Sequence, residues 1–109
     1  MLGGMARLFH CPYPNRSVEL TDEREAHIRL EHSELLPGRV DAIAETLVDR
    51  DAVRRSSRFI NSRLFTRWYD DLAGGKHAVV VVVSNAQRDW IVTAYVARRL
   101  RGEVEWERS

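Results

Sequence analysis

The chain is poor in the residues that most often announce chemistry. It has one cysteine, Cys11, so no disulfide can close within it and nothing points to an oxidising compartment. Its longest strongly apolar run, Ala78 to Val83, is far short of the ~20 residues that cross a bilayer as a helix. The opening "MLGGMARLFH" lacks the apolar stretch of a signal peptide, and a cytoplasmic location without membrane contact is the expectation. No glycine-rich phosphate loop, G-x-S-x-G elbow or paired-carboxylate signature occurs. One thiol, and no histidines four apart on a helix, leave no zinc-ligating set. No metal and no cofactor is therefore expected.

What is present describes a soluble globular domain. Of 109 residues, 44% are hydrophobic and 30% charged, which suits one modest core rather than a disordered chain. Net charge is only +1, which argues against strong non-specific nucleic-acid binding, but the charges are segregated. Glu19, Asp22, Glu23, Glu25, Glu31 and Glu34 make an acidic stretch near the N-terminus. Arg50, Arg54, Arg55, Arg58, Arg63 and Arg67 make a basic middle, and Arg98, Arg99 and Arg101 a second basic cluster. Lys76 is the only lysine among 17 basic residues. Two readings compete for these arginines. One is a solvated face laced with ion pairs. The other is a patch for phosphate or carboxylate, where the planar guanidinium fork outperforms an ammonium.

Residues 1–16 read as a loose N-terminal segment, followed by a single domain over 17–109. "SVEL", Ser17 to Leu20, is a short strand candidate, and Thr21 an N-cap with Asp22 and Glu23 in the first turn of a helix running to about His32. Pro37 and Gly38 break the chain before a second helix. There Val40, Ile43, Ala44 and Leu47 fall at i, i+3, i+4 and i+7, the stripe of a helix packed on a core. Beyond Asp49 the pattern becomes that of strands: "AVRRSSRFI", "SRLFTRWY", "HAVVVVVS" and "WIVTAYVA", with turns at Gly74–Gly75 and at "NAQRD". The five valines Val79 to Val83 are apolar on both faces, as in a central strand covered on both sides. The tail "RRLRGEVEW" adds an edge strand ending at Trp106. The fold expected is α+β, with two N-terminal helices packed on a four-stranded, or with the tail five-stranded, antiparallel meander.

Alternation along strands sorts the polar residues. Arg63, Phe65, Arg67 and Tyr69 share one face of their strand. On the last long strand Ile91, Thr93, Tyr95 and Ala97 share a face, with Trp90, Val92, Ala94 and Val96 opposite as the core side. In the first helix His27 and His32 lie roughly 140° apart on the wheel, too far to serve one ligand. His27 borders the core through Leu30, and His32 stands near the helix end, where a charged imidazole is stabilised. Each has a structural reading as a border or cap residue, and each has the near-neutral pKa of an acid–base group. Thr93 and Tyr95 are also favoured strand residues on propensity alone. Histidine, arginine, threonine and tyrosine without a metal suit one reaction in particular. RNA can be cleaved by its own 2′-hydroxyl, for which a protein need supply only a base, an acid and a cation.

The order "EAHIRLEHSEL", "DAVRRSSRFINSRLFTRWY", "GKHAVVVVVS" and "WIVTAYVARRLRG" resembles small phage-type proteins of the barnase–EndoU–colicin–RelE (BECR) nuclease fold, over about Val18 to Trp106. The family pattern of a histidine followed by His-Pro-Glu is matched by His27 and His32-Ser33-Glu34, with serine in place of proline. An arginine-rich strand matches Arg63 to Tyr69, with Trp68 where a second arginine is usual, and a "VTAY" strand matches Val92 to Tyr95. The resemblance implies a helix-first domain with a four-stranded antiparallel sheet and a toxin-like, metal-independent ribonuclease activity. It implies His27 as general base or acid and Arg55 or Arg67 at the phosphate, with Thr93 and Tyr95 positioning it, and His32 and Arg67 complete the expected catalytic set. Arg55, Arg63 and Tyr69 are the expected substrate-binding residues. RNA is the expected partner, together with a cognate inhibitor protein. The alternative is a non-catalytic RNA- or protein-binding module on the same fold. If helices cover the face of Val92 and Ala94, His27 reaches Thr93 only where the first helix packs at a rim of the sheet, or where the face assignment is inverted.

Overall fold

A computed structural model describes residues 6–13, 16–56 and 61–108. Among them, seven strands and two helices follow in the order β1 (Ala6–Cys11), β2 (Arg16–Thr21), α1 (Asp22–Glu31), α2 (Val40–Val48), β3 (Ala52–Arg55), β4 (Ser62–Tyr69), β5 (Lys76–Ser84), β6 (Asp89–Ala97) and β7 (Val104–Glu107). The strands form one mixed sheet in the order β1-β2-β6-β5-β4-β3-β7. All neighbours are antiparallel except β2 and β6, which run parallel over Val18–Glu19 and Asp89–Trp90.

This overturns the expected fold of two N-terminal helices on a four- or five-stranded antiparallel meander. The four middle strands do pair consecutively, but a β1–β2 hairpin precedes the helices and flanks one side of them, and β7 flanks the other. β1 lay within the segment read as loose. Its alternation is masked because Leu8 points outward, 67% exposed, so the strand is specified by its ladder with β2 rather than by a polar outer face. Residues 57–60, the end of the "AVRRSSRFI" strand candidate, lie outside the described residues.

Local chemistry accounts for the other elements. Thr21 ends β2 and caps α1, its hydroxyl accepting from the Arg24 N–H at 3.2 Å, with Asp22, Glu23 and Glu25 in the first turn. Only Ile28 of α1 is buried, and Leu30 is 81% exposed, so the stripe holding His27 and Leu30 faces solvent rather than the core. α2 turns Ala42, Ile43, Thr46 and Leu47 inward. Thr46 is tolerated there because its hydroxyl donates to the Ala42 carbonyl at 2.6 Å.

The main core lies between the helices and one face of the sheet. It includes Val18, Leu20, Ile43, Leu47, Phe65 and Ile91. α2 touches β4, β5 and also β1, so the sheet curls around it. The opposite face carries a smaller cluster of Leu64, Val79 and Val81, packed by Val92, Tyr95, Ala97 and Leu100. Of the five valines expected to be covered on both faces, Val79 to Val82 are buried and Val83 is half-buried.

One expected face assignment is corrected by a β-bulge. Val81 pairs with Thr93 but Val82 with Ile91, so Val92 is the extra residue. Beyond the bulge, Ala94 faces the main core and Tyr95 the opposite face, as alternation predicts. Before it the order inverts, and Ile91 enters the main core while Val92 joins the smaller cluster.

The smaller cluster is roofed by the connection from β6 to β7, residues 98–103. It passes over β5, β4 and β3, a span of about 19 Å at ~4.8 Å per strand, which six extended residues cover at ~3.3 Å each. Leu100 plugs the apolar cluster beneath this strap. Its far end is held by Arg54 Nη1 donating to the Gly102 carbonyl at 3.0 Å and by the Arg55 N–H donating to the Glu103 carbonyl at 2.9 Å. Gly102 has φ +92°, and a Cβ there would lie 2.3 Å from the Arg55 carbonyl oxygen, so only glycine fits the crossing.

Candidate functional site

Polar side chains converge around an open cleft at one end of the sheet, where β3 ends, β4 begins and β7 passes. A cleft of about 530 Å³ opens there, lined by Arg55, Arg63, Ser84, Asn85 and Glu105 among others. Glu105 is its centre. Arg63 Nε donates to Glu105 Oε2 at 2.8 Å and Arg55 Nε donates to Oε1 at 3.2 Å. The Tyr13 hydroxyl, from the turn after β1, donates to Oε2 at 2.8 Å.

Each member is placed by backbone geometry. Arg55 and Arg63 are cross-strand partners in the β3–β4 ladder. The β3–β7 register shifts between Val53 and Arg54, pairing Val53 with Trp106 and Arg54 with Val104, which leaves Glu105 as the bulged residue aimed at the arginines. Tyr13 is fixed by neighbours rather than by a ladder. Its ring meets Phe65 edge-on at 6.3 Å and lies 6.2 Å from Trp106, and the Arg50 guanidinium sits over both Trp106 (4.4 Å) and Tyr13 (5.2 Å).

The electrostatics follow from these contacts. Burial by itself raises the Glu105 pKa, but the bonds from Tyr13, Arg63 and Arg55 prevail and hold the carboxyl below its ordinary value. Glu105 is therefore an anion throughout the neutral range. Donation to that anion, with burial adding to it, raises the Tyr13 phenol and keeps it protonated. Arg55 is the most exposed of the three charged groups, with 68% of its side chain accessible, so the cleft offers solvent a free guanidinium edge. Beside the cleft Cys11 is buried, its thiol donating to the Tyr13 carbonyl at 3.3 Å, and burial pushes its pKa up, away from thiolate chemistry.

The residues singled out in sequence fall into separate places. Arg55 and Arg63 share the cleft. Arg67 and Tyr69 lie farther along β4 on the helix side, where Arg67 pairs with Asp49 (3.0 Å) and Glu45 (3.6 Å) of α2 and its C-cap. Tyr69 donates to Glu45 Oε1 at 2.6 Å, and burial together with that bond lifts its pKa to about 12. Thr93 and Tyr95 are on the opposite face of the sheet, across from Val81 and Val79. Among the described residues the buried Thr93 hydroxyl oxygen has no hydrogen-bond partner. His32 caps the C-terminus of α1, and its ring lies 6.0 Å from that of Tyr95, so the end of α1 does reach the rim of that face. His27 is exposed on α1. The sheet thus stands between the arginines of β4 and the Thr93–Tyr95 pair, and the eight residues do not form one cleft.

Glu105 and Tyr13 are the members that sequence reasoning missed. Tyr13 lies in the segment read as loose, and Glu105 in a tail credited only with an edge strand. The available signal was charge: Glu105 sits in a strand pattern after a stretch free of acids from Trp90 to Gly102, and the arginines of β3 and β4 need a counter-ion. Among the described residues no three of His, Cys, Asp and Glu gather as metal ligands would, and no helix is long and apolar enough to cross a membrane. The chain matches no family model, no curated protein and no solved structure, so the site is read from its own geometry.

Proposed function

We propose that the protein is a metal-independent ribonuclease acting at the Arg55–Arg63–Glu105 cleft. The observation that carries this reading is an ionised carboxylate and two guanidiniums within hydrogen-bond reach of one another in an open cleft. Glu105 takes the proton of the RNA 2′-hydroxyl as that oxygen attacks the adjacent phosphorus. Arg55 and Arg63 turn their remaining N–H donors to the phosphorane oxygens, where negative charge grows. The 5′-oxygen leaves with a proton as the cyclic phosphate forms. Tyr13 is a positioning residue. It stands 2.8 Å from Glu105, on the same side as the base, and an in-line displacement needs its acid on the opposite side, so solvent supplies the leaving-group proton.

The test is cleavage of a labelled single-stranded RNA in EDTA by the wild-type chain and by Glu105→Gln. The expected result is a loss of about 10²- to 10⁴-fold in the variant with RNA binding retained. Equal cleavage by both, or none by either, sinks the catalytic reading. A non-catalytic RNA-binding module is the second reading, and one observation favours it. Glu105 already accepts from three donors, and among the described residues no histidine lines the cleft. It predicts that Glu105→Gln changes binding but that neither protein yields products.

A further inference from the structure

Most arginines in this molecule are spoken for. Arg7, Arg16, Arg39, Arg55, Arg63, Arg67, Arg88 and Arg108 each have a carboxylate partner, Arg50 lies over two aromatic rings and Arg54 donates to the Gly102 carbonyl. Among the described residues, the arginines of the strap are not spoken for. Arg98, Arg99 and Arg101 are exposed and fall within four residues of one another, Glu103 is the one acid of the strap, and among the described residues none of the three arginines makes an ion pair. Among the described residues Arg24 and Arg29 also lack a carboxylate within ion-pair distance, but they lie on α1 among Glu23, Glu25 and Glu31, in an acidic field.

The backbone beneath these three charges is fixed rather than loose. Leu100, between Arg99 and Arg101, is anchored in the apolar cluster of Leu64, Val79 and Val81. Gly102 and Glu103 are bonded to Arg54 and Arg55. Arg99 and Arg101 border a hollow of about 160 Å³ with Tyr95 and Ala97. The strap lies over the opposite face of the sheet from Arg55 and Arg63, but it runs directly into the edge strand β7, whose Glu105 lines the cleft, so strap and cleft meet around that edge. Holding three like charges together in a compact protein costs self-repulsion that a polyanion removes.

We infer that Arg98, Arg99 and Arg101 form a second contact for the RNA backbone, engaging phosphates of single-stranded RNA beyond the one bound in the cleft. The inference rests on the reading of the cleft as an RNA site, and it makes the preferred substrate a strand long enough to reach from the cleft to the strap. The contact is electrostatic, so it is read by salt rather than by sequence.

The experiment measures binding of a labelled single-stranded RNA 12-mer between about 50 and 200 mM salt by fluorescence anisotropy. It compares the wild-type chain, the triple variant Arg98→Ala/Arg99→Ala/Arg101→Ala, and the triple Arg→Lys variant at the same positions. At ~0.7 counterions per phosphate contact on a single strand, the alanine variant should show a log–log slope shallower by about 2. The lysine variant should keep the wild-type slope. The same proteins are assayed on a dinucleotide, which only the cleft can hold, and the alanine variant should cleave it as the wild type does. An unchanged slope in the alanine variant overturns the inference, as does a wild-type chain that does not bind the RNA. That result would leave the strap to an acidic protein. Cleavage lost from the wild type while the slope difference persists would sink the catalytic reading and leave the strap standing. Matching thermal unfolding of the three proteins separates these outcomes from misfolding.

Discussion

The two faces of the sheet are covered by very different means. One is covered by α1, α2 and the curl of the β1–β2 hairpin, which together bury residues as large as Phe65, Ile43 and Leu47. The other is covered by six residues and a single plug, Leu100, over Leu64, Val79 and Val81. Leu64 and Phe65 are sequence neighbours that face these two environments, at 8% and 2% exposure. The difference teaches that a strand apolar on both sides does not demand two layers of helices. A strap held at both ends dries the second face nearly as well, and it leaves a charged rim that a helix layer would have hidden.

Three changes would break or sharpen that contrast. The largest effect belongs to the helix side: Phe65→Ala should cost about 3–5 kcal/mol by leaving a cavity under α2, measured by urea unfolding. A cost near that of an exposed substitution would mean the main core lies elsewhere. Next comes the strap face. Gly102→Ala should cost about 2 kcal/mol, because it combines a left-handed φ with a close approach to the Arg55 carbonyl. Unchanged stability would show that the strap does not cross as described. The smallest effect is a pH dependence at the cleft. The Glu105 pKa is lowered by folding, so its contribution is complete above the ordinary glutamate value of about 4.3 and is lost as pH falls through the lower folded value. Glu105→Gln should therefore flatten the acid limb of a stability–pH profile relative to wild type, and parallel limbs would mean that Glu105 has no preferential partner in the folded state.

Much of the molecule was legible in the sequence where local rules govern. Thr21 announced the helix start by its hydroxyl and the acids after it, and the valines of β5 announced a strand buried on both sides. Asn85 fulfils its turn signal by accepting the Gln87 and Arg88 N–H groups on its side chain. What failed were relations between distant segments. Pairing of β2 with β6 rests on two residue pairs, and that of β1 on a strand with Leu8 on its outer side, neither of which has a local signature. The bulge at Val92 inverted Ile91 because a period of two carries no mark where a residue is added. For the site, Arg55 and Arg63 were recognisable as arginines on adjacent strands. Glu105 and Tyr13 were not, since each joins them only through long-range closure of the sheet.

That closure has a consequence for how the protein is made. Tyr13 comes from the first hairpin and Glu105 from the last strand, 92 residues later, and they meet at 2.8 Å. A nascent chain emerging from the ribosome presents Arg55 and Arg63 well before it presents their carboxylate. The two arginines of the cleft therefore lack this carboxylate partner until β7 has been synthesised and has docked against β3. Completion of the sheet is thus the condition for the site, because its charged groups meet only when the last strand closes against β3.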